Sequence, residues 1–134
     1  MNKLDGLFQF HQDALNVHAY RQKLIASNIA NADTPGYRAR DIDFVAALKN
    51  AQAEQAKLQT SGAPAAAKPK ATLGEQGPFS TEVLYRNAVQ RSADGNTVDA
   101  DVERAQAAEN AVRYEAQITF MTHQIKSMLA AIQG

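Results

Sequence analysis

Apolar side chains near the start of the chain recur at steps of four and three: Leu4, Phe8, His11, Leu15, His18, Gln22, Ile25 and Ile29 form one stripe. Leu7, Ala14, Val17 and Leu24 form a second stripe beside it. That period is the helical one, and it predicts a helix over residues 3–32. Two adjacent stripes make a broad apolar face, which suits a helix covered from more than one side. The other end of the chain is more regular still. Ala107, Ala111, Tyr114, Ile118, Met121, Ile125, Met128 and Ile132 keep the 4-3-4-3 spacing of coiled-coil a and d positions, and Val112, Phe120 and Leu129 widen the stripe. A second helix is therefore predicted over 99–133, about 50 Å long at 1.5 Å per residue.

The start of the second helix is marked in the sequence. Asp94-Gly95-Asn96 is a turn, and Asp99, Asp101 and Glu103 place negative charge at the positive end of the helix. Glu109 and Arg113 stand one turn apart and can pair. The middle reads differently. Residues 60–78, TSGAPAAAKPKATLGEQGP, hold three of the four prolines and are low in complexity. Such a segment buries too little apolar surface to offset the entropy of ordering, so it reads as a flexible linker. Before it, DFVAALKNAQAEQAKLQ predicts a short helix capped by Asp41 or Asp43. After it, a turn or two of helix is expected around Val83 to Val89. The expected fold is all-α: two long terminal helices packing as a coiled-coil-like pair, with a flexible, partly irregular middle. One structural domain results, divided into residues 1–44, a variable 45–93 and 94–134.

Composition narrows the function. Fourteen basic and fourteen acidic side chains cancel, which removes the electrostatic case for nucleic acid or an anionic membrane, so neither nucleic-acid nor direct lipid binding is expected. With no cysteine there are no disulfides, thiolate metal sites or cysteine nucleophiles. No stretch approaches the roughly 18 apolar residues of a membrane span, and Asp5, His11, Gln12 and Asp13 interrupt any signal-peptide core. Cleaved secretion is not expected.

The candidate chemistry is thin. His11 and His18 share one face of the first helix and His123 lies on the last, but two full turns, about 10 Å of rise, set His11 and His18 too far apart for one ion. Asp94 to Glu103 resembles a calcium loop in its oxygens, yet the twelfth position from Asp94 is Ala105 and not an acid. No glycine-rich phosphate loop, serine triad or zinc-protease motif appears. The expectation is no enzyme, no cofactor and no metal. A two-helix hairpin also leaves the outer side of each apolar stripe wet, so the missing core has to come from other chains.

The first helix ends in SNIANADTPGYRARDIDF, more elaborate than a helix stop needs. Pro35-Gly36 suits the central positions of a type II turn, and Pro35 pushes Thr34 out of helical geometry. The core Asn28, Ile29, Ala30, Asn31, followed by Thr34, Pro35, Gly36 and Tyr37, resembles the N-terminal signature of the bacterial flagellar rod, hook and hook-associated axial proteins. Within that family the chain is most similar to a proximal rod subunit, on ARDIDF at 39–44 and on the Gly-Asn-x-Val-Asp turn with Glu109-Asn110 and Tyr114. The resemblance covers residues 10–44 and 94–132.

The resemblance implies a structural subunit of the proximal rod, exported unfolded through the flagellar type III apparatus, assembled in the periplasm and transmitting torque. Its implied partners are copies of itself, other rod proteins, the adaptor between membrane ring and rod, and the export apparatus. The docking residues it implies are Asn28, Ile29, Ala30, Asn31, Thr34, Pro35, Gly36, Tyr37, Arg38 and Arg40. Helix interfaces are expected at Leu4, Phe8, Leu15, Ile25 and Ile29, and at Ala111, Tyr114, Ile118, Met121, Ile125, Met128 and Ile132. The bland alternative for the signature is that it only stops the helix and turns the chain within one molecule. Competing functions are another rod subunit, or a cytoplasmic helical adaptor or export chaperone.

Overall fold

A computed structural model of the chain describes residues 2–61, 76–77, 81–87 and 92–134. In order along the chain these form α1 (Asn2–Ala30), β1 (Arg40–Ile42), α2 (Phe44–Ser61), β2 (Gln76–Gly77), β3 (Thr81–Tyr85) and α3 (Ala100–Gln133). The architecture is mainly helical, and α1 and α3 pack along one another. The pair is antiparallel: His11 meets Gln117 while His18 meets Asn110, so positions rise on one helix as they fall on the other.

Both helix starts follow local chemistry. Asp99 caps α3, its carboxylate accepting from the Asp101 and Val102 N–H groups at 3.0 and 3.3 Å. Of the two candidate caps for α2, Asp43 takes the role, with its side chain accepting from the Ala46 N–H at 3.1 Å. Asp41 lies instead in β1, where its carboxylate is used otherwise. The predicted pair of Glu109 and Arg113 is formed, at 2.6 Å on the surface.

The middle departs from expectation. In place of a helical turn around Val83, residues Thr81–Tyr85 form the central strand of a three-stranded sheet ordered β1-β3-β2. β1 pairs antiparallel with β3, Ile42 opposite Val83, and β2 pairs with its other edge. Val83 is buried while its neighbours Glu82 and Leu84 are exposed, as side chains on opposite faces of a strand can be. The decisive partner, β1, is supplied from far away in sequence, which local propensity could not reveal. The expected linker loses its ends: Thr60 and Ser61 belong to α2 and Gln76–Gly77 to β2. Its remaining positions, 62–75 and 78, lie outside the described residues, as do 88 and 89 of the expected turn.

The buried apolar cluster is small and lies on the sheet side of α1. Val17 and Leu24 of α1 meet Ile42, Ala47 and Val83, with Tyr20 and Phe44 packed around them. The second α1 stripe therefore faces the sheet and α2. The first faces α3.

Candidate assembly site

The seam between α1 and α3 is polar where coiled-coil packing would be apolar. Along α3, Glu103 and Asn110 are buried and Gln117 and Gln124 half-buried, one column at heptad spacing. Its partners on α1 are Asn28, whose Nδ2 donates to Glu103 at 3.1 Å, then His18 and His11. Arg21 adds a bond of 2.7 Å to Gln106. The predicted apolar stripe of α3 is thereby split. Its column Ala107, Met121 and Met128 is half-buried against α1, and Tyr114 of that column stands 37% exposed. The other column, Ala111, Ile118, Ile125 and Ile132, is the more exposed, with the three isoleucines at 41%, 43% and 82%, and its Ala111 and Ile118 edge a groove with Ala19 and Gln22 of α1. Buried polar contacts of this kind add little stability over an apolar seam, but they specify register.

At the inner end of the seam lies a charge node. Asp41 accepts from Arg21 Nε at 3.0 Å, from Arg86 Nη2 at 2.7 Å and from the Ile42 N–H at 2.8 Å. Glu103 accepts from Arg86 and from Asn28. Two guanidinium groups and two carboxylates thus tie α1, β1, the residue that follows β3, and α3 together. Burial pushes the Asp41 carboxyl up, but the bonds from Arg21, Arg86 and Ile42 together outweigh it and hold the group below the usual carboxylate range.

The signature stretch sits on this node. Asn28, fully buried, pairs with the Arg40 backbone like one more rung of sheet: its Nδ2 donates to the Arg40 carbonyl at 2.8 Å and its Oδ1 accepts from the Arg40 N–H at 2.9 Å. The chain that leaves α1 is thus folded back on α1 itself. Asn31 closes the helix, donating from Nδ2 to the Ser27 carbonyl at 2.8 Å, while Thr34 Oγ1 donates to Asn31 Oδ1 at 3.1 Å. The Tyr37 N–H returns to the Thr34 carbonyl at 3.3 Å around Pro35 and Gly36, with Gly36 at φ 70°. That is the turn which Pro followed by Gly favours. Tyr37 reaches back toward Ser27 and Asn28 with its hydroxyl.

A second loop clasps this turn. Asn96 is buried, and its Nδ2 approaches three carbonyls of the signature, those of Asn31, Ala32 and Thr34, at 3.0, 2.8 and 2.8 Å. Its Oδ1 accepts from the Val98 N–H at 2.7 Å, so one side chain organises both segments. Thr97 continues the clasp, its N–H donating to the Tyr37 carbonyl and its Oγ1 accepting from the Ala39 N–H. Gly36 donates its N–H to the Asp94 carbonyl at 3.0 Å, and Gly95, at φ 79°, lies against Gly36. Both glycines hold positive φ, which permits this back-to-back approach.

Within the signature, Asn28 is buried and Ile29, Asn31, Tyr37 and Arg40 are half-buried, while Ala30, Thr34, Pro35, Gly36 and Arg38 are exposed. Arg38 stacks over Tyr85, 4.3 Å from the ring centre. On α1, Ile25 is buried, Phe8, Leu15 and Ile29 are half-buried, and Leu4 is 50% exposed. Sequence reasoning missed Asp41, Arg86, Asn96 and the buried role of Glu103. Glu103 read as a helix-end charge, and its seven-residue spacing to Asn110, Gln117 and Gln124 was the available signal.

The signature coincides with a family match. Residues 8–38 fit the model of the family described as "Flagella basal body rod protein". Over nearly its whole length the chain is also similar to curated proteins called "Flagellar basal body rod protein FlgB". It is 45% identical to that of Proteus mirabilis (strain HI4320), across 99% of this chain and 98% of the relative. It is 42% identical to those of Salmonella typhimurium and Escherichia coli (strain K12), across 100% of this chain and 98% of each relative. With likeness of this extent, the chain belongs to the FlgB family of flagellar basal body rod proteins, structural subunits of the rod.

Proposed function

We propose that the chain builds the proximal part of the rod in the periplasm, joining copies of itself and other rod proteins through its two terminal helices. The observation that supports this most is the exposed column of α3. Ala111, Ile118, Ile125 and Ile132 keep heptad spacing over several turns, yet stay exposed. Removing apolar surface from water is worth about 25 cal/mol per Å², so a helix laid along this column is held by burial alone. The heptad repeat selects another helix as the covering element. Leu4 and Leu7, 50% and 40% exposed, extend the same kind of surface on α1.

In this reading the exposed side of the signature turn, Thr34, Pro35, Gly36 and Arg38, meets a neighbouring subunit, together with Tyr37 and Arg40. The buried side, led by Asn28 and Asn96, fixes the shape that is presented. Contacts of this type are heterologous and propagate along an axis, as a rod requires. Export as unfolded chain through the type III apparatus, a junction with the adaptor to the membrane ring, and transmission of torque complete the proposal. The role is structural and involves no catalytic step.

The test is electron microscopy of basal bodies from cells lacking the gene, with and without its restoration. Membrane rings without a rod or hook, recovered on restoration, are the expected result. A normal rod and filament in the deletion strain would overturn the proposal.

A further inference from the structure

Two histidines are built into the α1–α3 seam, and the function of a rod subunit does not call for them. His11 and His18 are 9% and 7% exposed. The His18 ring stacks on Phe44 at 4.3 Å between centres, and its Nδ1 lies 3.0 Å from Asn110 Oδ1. Asn110 donates its Nδ2 to the His18 main-chain carbonyl and to Gln22, so only its oxygen faces the ring and His18 Nδ1 carries the proton. His11 stands the other way round. Gln117 approaches its Nδ1 with an amide nitrogen, which places the proton on Nε2. That Nε2 is buried and has no partner among the described residues, in a ring flanked by Phe10 and Phe120.

We propose that the α1–α3 seam is a pH-sensitive latch, in which charging the seam histidines, His18 above all, loosens the outer halves of the two helices while the node around Asn28 and Glu103 stays closed. The neutral rings fit their surroundings and the charged rings do not. Among the described residues, the charges that act on His18 are two cations, Arg113 from α3 and Arg21 from α1. From α2 it meets the apolar Phe44 ring. Burial lowers the His18 value most, and those two arginines add to it, outweighing the favourable bond to Asn110. Glu109 is engaged with Arg113 and so tempers that cation without contacting the ring. A charged His11 would bring two donors face to face at Gln117. Turning that amide over would relieve the clash and still leave Nε2–H unmet. Asp13, two positions on, is rotated about 200° around α1 and cannot compensate.

The sign follows from linkage. The folded His18 value lies below its unfolded one, so as pH falls through about 6.5 the unfolded chain binds that proton first and acid favours opening. The node does not share this response, because Asp41 is held below the usual carboxylate range and stays ionised through mild acid.

The test uses the full chain. First, NMR titration of the His18 ring is compared with that of exposed His123 in the same molecule. His18 is expected to titrate at the lower pH, and titration level with or above His123 would overturn the latch. Second, because the chain has no cysteine, spin labels at Gln12→Cys and Thr122→Cys report the spacing of the helix ends. The distance is expected to lengthen between about pH 7.5 and 5.5 while helix content by circular dichroism is retained. In His18→Gln the pH dependence of the distance should be clearly reduced. A spacing that ignores pH, an equal response in His18→Gln, or wholesale loss of helix would each refute the proposal. If His18→Gln fails to fold, the His18 titration in the unaltered chain still decides.

Discussion

Asn28 and Glu103 stand 75 positions apart and share a hydrogen bond of 3.1 Å inside the protein. Asn28 also satisfies both polar groups of the Arg40 backbone, so one amide fastens the end of α1 to β1 and to α3. Asn28→Ala would strand a buried carboxylate oxygen and two backbone groups. The expected loss is about 3 kcal/mol of stability, read from the midpoint of urea unfolding. Asn28→Asp should do worse, because it sets a second carboxylate against Glu103.

Asn96 makes the same kind of prediction for the turn. In Asn96→Asp an acceptor replaces the donor that serves the Asn31, Ala32 and Thr34 carbonyls. The result should be local opening, with faster amide hydrogen exchange across residues 34–39 and a stability loss on the order of 2–3 kcal/mol. Unchanged protection there would show that the clasp is dispensable.

Acid stability should trace to the node. The folded Asp41 carboxyl titrates below its unfolded value, so its contribution is fully present above about pH 4 and is lost as pH falls through the folded value. Urea midpoints of the unaltered chain should drop steeply below about pH 4. Asp41→Asn should be less stable at neutral pH and show a shallower acid limb.

Asp13 should behave oppositely. It is buried, and among the described residues Oδ2 has no partner while Gln9 donates to Oδ1 at 3.2 Å. Burial raises its carboxyl above the ordinary value, so its effect is unfavourable at neutral pH and vanishes in acid. Asp13→Asn is therefore expected to stabilise the chain at about pH 7, on the order of 1 kcal/mol, and to have little effect at about pH 3. Thermal unfolding at the two pH values checks both halves.

The exposed column of α3 separates folding from assembly. Ile118→Asp and Ile125→Asp change side chains that the chain leaves 41% and 43% exposed, so monomer stability should move by no more than about 0.5 kcal/mol. If a neighbouring helix covers them in the rod, each variant buries an unpaired charge and assembly fails. Motility assays of the two variants, beside circular dichroism of the purified chains, give the contrast.

The amino-acid sequence by itself determined the elements whose signals are local. α1 and α3 follow from apolar residues recurring each turn, the cap of α3 from Asp99, and the reversal after α1 from Pro35-Gly36. The signature was also legible as a family mark, because its residues are adjacent in the chain. Tertiary structure decided the rest. β3 exists because β1 lies beside it, although Val83 to Tyr85 alone reads equally well as helix. Which column of α3 meets α1 was decided by paired partners: Glu103, Asn110 and Gln117 look like surface residues until Asn28, His18 and His11 stand opposite them. A buried polar residue is intelligible only together with the group that satisfies it, and here those groups lie on another helix. Periodicity therefore marks the apolar stripe, and long-range hydrogen bonding selects which part of it the molecule buries and which part it leaves exposed.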